Sequence, residues 1–118
     1  MNKIMSVCIP TYEYSGKGVD ALNFSLNQML QQTYQNFELI ISDHSVDDEI
    51  EKVSKRWSNY FDLSYYRNEN DRGLGASNFN NCMKYANGKI IKFLCGDDLR
   101  ELSQVPRSYQ DRSQCFFQ

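Results

Sequence analysis

Apolar residues in this chain fall into short β-prone runs that alternate with stretches spaced like one face of a helix. "IMSVCI", Ile4 to Ile9, is mostly apolar and is halted by Pro10, so it predicts a buried strand. After a loop holding Gly16 and Gly18 comes "VDALNFSLNQMLQQ". Its Val19, Leu22, Leu26, Met29 and Leu30 mark one buried helical stripe. "FELIIS", Phe37 to Ser42, predicts a second strand ended by "DHSVDD", and Ile50, Val53 and Trp57 then predict a second amphipathic helix. "FDLSYYR", Phe61 to Arg67, is more polar and predicts a strand near a sheet edge. Beyond the loop "NENDRGLG", Phe79, Cys82, Met83 and Ala86 predict a third helix, with Gly88 as its C-terminal cap. "KIIKFL", Lys89 to Leu94, predicts the fourth strand.

The order β-α-β-α-β-α-β with short connections predicts an α/β fold: a mostly parallel sheet with right-handed crossovers, covered by helices. Ligands of such sheets bind outside the carboxyl ends of the strands. Strand one runs into Pro10, Thr11 and Tyr12, strand two into Asp43 and His44, and strand four into "GDD", with Asp97 and Asp98. The most polar punctuation points therefore share one rim. Adjacent carboxylates raise each other's pKa unless a cation or solvent relieves them. Alone, Asp97 and Asp98 read as readily as a solvated start to a helix. Convergence on one rim favours a divalent cation site, and Mg²⁺ commonly takes one or two carboxylates plus substrate phosphates.

Composition narrows the classes. A chain of 118 residues with 41% hydrophobic and 14% aromatic residues suits one globular core and argues against disorder. A net charge of −2 with no basic stripe argues against nucleic acid. Cys8, Cys82, Cys95 and Cys115 have no zinc-like spacing, and His44 is the one histidine, so no His-rich metal site can form. Cysteines on apolar positions predict buried free thiols in a reducing cytosol. No run approaches a membrane span and no signal peptide opens the chain, which predicts a cytoplasmic protein without an integral membrane segment.

Four stretches, in order and spacing, resemble family 2 glycosyltransferases of the GT-A fold: "SVCIPTYEY", "QQTYQNFELIISDHSVDD", "NDRGLGASNFNNCMKYANGKII" and "FLCGDDL". The resemblance covers roughly Met5 to Leu99. It implies a Rossmann-like nucleotide-sugar-binding domain over residues 1–99, with strand order 3-2-1-4 and helices on both faces. It also implies transfer of a sugar from a nucleotide diphosphate sugar to an acceptor hydroxyl. The acceptor would be lipid-linked or a growing glycan in bacterial surface-polysaccharide assembly, made by an enzyme peripheral to the inner membrane. By the same resemblance Pro10, Thr11 and Tyr12 line the nucleotide pocket, with Tyr12 stacking on the base. Asp43 holds base and ribose, and His44 stands where many members carry a second acid. Arg72, Gly73 and the backbone near Ala76 approach the diphosphate. Asn78 stands where members often place an arginine. "FLCGDD" aligns with the family's Asp-x-Asp motif, with Cys95 in the first acid's place. Asp97 is then the ligand of Mn²⁺ or Mg²⁺, with Asp98 beside it as a further ligand, a group behind the ligands or a ribose contact. Asp48 reads as a helix start, and Arg72 taken alone reads equally as an exposed loop charge.

Residues 100–118, "RELSQVPRSYQDRSQCFFQ", have no clean period and do not resemble the family. They read as an atypical tail, a truncation product or a changed reading frame. An inverting transferase needs a general base, and the family's base and acceptor region lie well beyond the metal motif. The expectation is a donor- and metal-binding half that is inactive alone and has an uncovered sheet edge inviting self-association. The alternative is a non-catalytic remnant that binds nucleotide or a partner. A receiver or flavodoxin-like module fits less well, because a receiver would carry acids where strand one has Pro-Thr-Tyr.

Overall fold

The computed structural model describes residues 4–72 and 74–94. Within them the order is β1 (Met5–Thr11), α1 (Lys17–Leu30), β2 (Phe37–Asp43), α2 (Glu49–Trp57), β3 (Leu63–Arg67), α3 (Gly75–Tyr85) and β4 (Ile90–Phe93). The strands form one parallel sheet in the order β3-β2-β1-β4, as the resemblance implied. β3 lies at an edge and every residue in it is only half-buried, in keeping with its polar sequence.

Side chains alternate across each strand, so the sheet has two unlike faces. Val7 and Ile9 of β1 and Phe37, Leu39 and Ile41 of β2 pack with Leu22, Leu26 and Met29 of α1 and Ile50 and Val53 of α2. The opposite face carries a small apolar cluster, Cys8, Ile40 and Cys82, flanked by Tyr66, Tyr85, Ala86 and Phe93. Tyr66 and Tyr85 stack in parallel there with centroids 3.7 Å apart. Cys8 and Cys82 are free and buried. The neighbouring Cys8 thiol and burial push the Cys82 thiol pKa up, and its Sγ donates to the Ile40 carbonyl at 3.5 Å. Cys95 and Cys115 lie outside the described residues.

Hydrogen bonds supplement that thin cluster. Glu38, almost fully buried, accepts from the Ser6 hydroxyl and from the Asn87 amide at 2.7 Å. The Asn87 side chain bonds its other oxygen at 3.2 Å. Burial pushes the Glu38 carboxyl pKa up, but the donors from Ser6, Asn87 and Gly88 outweigh it and hold the carboxyl below its usual value.

Three local expectations are corrected. Pro10 does not halt β1, which continues to Thr11. The Cys8 carbonyl faces β4, accepting from Leu94 N–H, while the Thr11 carbonyl faces β2, accepting from His44 N–H. Alternation turns Pro10 away from β2, so its missing N–H costs no bond in the β1–β2 ladder. Gly88 does not cap α3, whose C-cap is Ala86. Its N–H donates to Ser6 Oγ, and a Cβ there would stand 2.7 Å from the Ser6 backbone nitrogen, so glycine is required by close approach. Met83 is exposed, and the buried line of α3 runs through Asn78 and Cys82 instead. Asn78 is buried because its amide is bonded, something an apolar pattern cannot register.

Candidate functional site

Pro10, Thr11, Tyr12, His44, Gly75, Asn78 and Phe79 line a cleft of about 450 Å³ outside the carboxyl ends of β1 and β2. Tyr12 stands exposed on its rim, its ring 5.8 Å from that of Tyr14. It also borders a second hollow of about 210 Å³ over the start of α1.

The turn that presents Tyr12 is built by Glu13. Its backbone N–H donates to Ser45 Oγ at 2.8 Å, and its carboxylate accepts from Gly16 N–H at 2.5 Å and Val19 N–H at 2.8 Å. Glu13 therefore satisfies α1's first turn from outside the helix, where Gly16 offers no capping side chain. Gly16 has φ 78° and Ser15 φ 51°, the left-handed turn this return path needs. At Gly18 a Cβ would sit 2.4 Å from the Tyr12 carbonyl oxygen.

Alternation along β2 separates the neighbours Asp43 and His44. Asp43, fully buried, faces the α1/α2 side, where one oxygen accepts from Tyr65 OH at 2.5 Å and the other from Ser45 N–H at 2.9 Å. Burial pushes the Tyr65 phenol pKa up, and donation to Asp43 adds to that. Arg67 continues the chain, reaching Tyr65 OH at 3.3 Å and Asp48 at 2.9 Å. Asp48 is the N-cap position of α2, and its carboxylate serves Arg67. Asp43 thus stands behind the cleft, holding the loop, while His44 lines the cleft. His44 Nε2 lies 2.8 Å from the Asn70 carbonyl and 3.0 Å from Asn68 Nδ2. Asn68 Oδ1 accepts from Asn70 N–H, which fixes that amide with its Nδ2 toward His44.

Asn78 forms the cleft floor. Its Nδ2 donates to the carbonyls of Ser42 (3.0 Å) and Thr11 (3.3 Å), and its Oδ1 accepts from Ser42 Oγ at 2.6 Å. One side chain thereby ties α3 to the ends of both β1 and β2. α3 enters the site with Leu74 at its N-cap, no side-chain cap and no acid in its first turn. Beside Gly75 the space is open. Arg72 is exposed and anchored at 3.3 Å to the Ser45 carbonyl. Gly73, Asp97 and Asp98 lie outside the described residues. Among the described residues no cluster of three His, Cys, Asp or Glu side chains forms a cation cage, and both Asp43 oxygens are already hydrogen-bonded. No helix among them is long and apolar enough to cross a membrane.

Glu13, Ser45 and Asn68 escaped the sequence reading. The signal for Glu13 was weak: it is the acid just upstream of α1, but Ser15 beside it is the residue type that caps helices, and the structure puts Gly16 at the N-cap instead. Ser45 and Asn68 act through contacts between loops distant in sequence, which spacing does not reveal.

Known proteins resemble this chain in sequence and in fold. An uncharacterized glycosyltransferase of Rickettsia felis is 32% identical over 95 residues, 80% of this chain and 15% of that protein. The putative glycosyltransferase EpsE of Bacillus subtilis is 31% identical over 64% of this chain and 27% of its own length. WfgD of Escherichia coli, a UDP-Glc:alpha-D-GlcNAc-diphosphoundecaprenol beta-1,3-glucosyltransferase, is 29% identical over 81% of this chain and 36% of its own. The chain thus spans about a third or less of these relatives. Two solved structures share the fold. TarS 1–349 of S. aureus in complex with UDP has a TM-score of 0.66 at 23% identity, over 84% of this chain and 30% of that one. The mannosyltransferase PcManGT of Pyrobaculum calidifontis, in complex with GDP-Man and Mn²⁺, has 0.65 at 20%, over 82% and 28%. The profile described as Glycosyl transferase family 2 matches residues 6–107, and the chain belongs to that family.

Proposed function

We propose that this chain is the donor-binding part of a glycosyltransferase, taking a nucleotide diphosphate sugar into the cleft between Tyr12 and the start of α3. The observation that carries this is the pairing of an exposed aromatic ring with an uncapped helix N-terminus across one cleft. A nucleobase suits the Tyr12 ring face, beside Thr11 and His44. A diphosphate suits the free N–H groups of α3, with Arg72 and Gly73 in the preceding loop. Because Glu13 already occupies the N-terminus of α1, the anion is directed to α3.

Family members commonly use a divalent metal, and Asp97 and Asp98 are the residues that would hold Mn²⁺ or Mg²⁺ here. When bound, such an ion stabilises the negative charge left on the departing nucleotide diphosphate. Asp43 supports the loop beneath His44 and is not offered as a base, since both of its oxygens are bonded. The base and the acceptor subsite belong to sequence outside the described residues. The relative WfgD is named for action on a diphosphoundecaprenol-linked sugar, which supports a lipid-linked or growing-glycan acceptor.

Calorimetric titration with UDP, GDP and dTDP in the presence of Mn²⁺ tests the reading. One of these should bind saturably, and Tyr12→Ala should weaken it about tenfold or more, as loss of a stacked base does. Absence of binding by all three, or an unchanged affinity in Tyr12→Ala, overturns it.

A further inference from the structure

We infer that the groove between the C-terminal ends of α1 and α2 is a second saccharide site, separate from the donor cleft and suited to a neutral oligosaccharide. The groove has a volume of about 500 Å³ and includes Trp57 and Tyr60 on its α2 side and Leu30 on its α1 side. Leu30 and Trp57 are the last residues of their helices, and helices in a parallel α/β unit run antiparallel to its strands. The groove therefore opens at the opposite end of the sheet from the cleft.

Its chemistry is that of sugar recognition. Tyr60 is 65% exposed and meets Trp57 edge-on at 5.7 Å, so one flat aromatic face is left for the C–H side of a pyranose. Around it stand the carboxamides of Asn23, Asn27 and Asn59 and the Arg56 guanidinium, groups that pair with vicinal hydroxyls. The Arg56 guanidinium and the Asn27 carboxamide have no partner among the described residues. The platform is preorganised: Trp57 Nε1 donates to Asn23 Oδ1 at 2.8 Å, its ring lies 6.0 Å from Phe61, and Asn59 Nδ2 is fixed on the Arg56 carbonyl.

Charge selects a neutral ligand. Two helix C-termini each present about half a negative charge, and Arg56 supplies one positive charge against them. The groove's lining contains no acidic side chain. The balance is near zero, which suits a neutral chain and favours neither uronate nor phosphate.

Trp57 is the one tryptophan of the chain, so its emission reports this groove directly. The full chain would be titrated with maltotriose, cellotriose and chitotriose, with trigalacturonate and UDP as comparators. At least one neutral trisaccharide should shift Trp57 emission saturably, with a Kd of about millimolar. Arg56→Ala and Tyr60→Ala should each weaken that binding about tenfold, while Tyr60→Phe keeps it within about threefold. Both positions are on the surface, so these variants should fold. Saturating UDP and Tyr12→Ala should leave it unchanged, which separates this test from that of the donor cleft. No saturable shift with any neutral trisaccharide overturns the inference. So does tighter binding of trigalacturonate, competition by UDP, or binding that survives both Arg56→Ala and Tyr60→Ala.

Discussion

Replacing Asn78 should loosen α3 from the sheet and take the cleft floor with it. Asn78→Ala removes the two donations to the Ser42 and Thr11 carbonyls and the acceptor of Ser42 Oγ. Thr11 O keeps His44 N–H, and Ser42 Oγ keeps Asn81 Nδ2 at 2.8 Å. The Ser42 carbonyl retains only a 3.5 Å contact with Thr11 Oγ1 from its side-chain donors. Three bonds at a net value near 1 kcal/mol each, in a residue only 4% exposed, give a loss of about 2–4 kcal/mol. With an m-value of about 1.5 kcal/mol/M, the urea midpoint should fall by roughly 2 M. Asn78→Asp is the sharper probe. It can still accept from Ser42 Oγ but sets a carboxylate oxygen against two carbonyl oxygens, so at neutral pH it should be less stable than Asn78→Ala. Burial beside those dipoles raises the folded-state pKa of such an acid, so its deficit should shrink as pH falls through that raised value. Urea unfolding of both variants at two pH values measures this. A loss under about 0.5 kcal/mol for Asn78→Ala, or an Asp variant more stable than the Ala variant at neutral pH, refutes the reasoning.

Gly18→Ala should destabilise the chain by about 1–3 kcal/mol despite alanine's better helix propensity, because the methyl meets backbone at the Tyr12 carbonyl. Thermal unfolding reads this, and an unchanged or raised Tm contradicts it. Glu38 titrates below its usual value in the folded state, so its stabilisation is full above the unfolded carboxyl pKa of about 4.3 and is lost as pH falls through the lower folded value. Glu38→Gln should therefore lower the urea midpoint at neutral pH, and its gap to the parent chain should narrow at about pH 3. A constant gap would show that the Ser6 and Asn87 bonds do not depend on the charge.

The fold was legible because the signals that encode it are local. Val19 to Leu30 repeat at helical spacing, and Phe37 to Ser42 form an unbroken apolar-rich run; strand order came from the family's motifs. The site was legible as a rim, but not in its division of labour. Asp43 and His44 are sequence neighbours, and only the pleat, applied to the known helix positions, sends the first behind the cleft and the second into it. Likewise Asn78 belongs to the buried line of α3, yet an apolar count passes over it, since its burial depends on carbonyls contributed from residues 11 and 42.

The two faces of the sheet differ in how they tolerate sequence drift. The α1/α2 face is held by interlocking side chains of Val, Ile, Leu and Met, which accept exchange among themselves where volume is conserved. The α3 face is held by Ser6, Glu38 and Asn87 at one end and Ser42, Asn78 and Asn81 at the other, where each partner fixes the identity of the next. A substitution there must be answered by a second, simultaneous one, whereas the opposite face can change one residue at a time. Descendants of this chain should diverge fastest on the face that carries α1 and α2, while α3 keeps its angle and its reach over the strand ends.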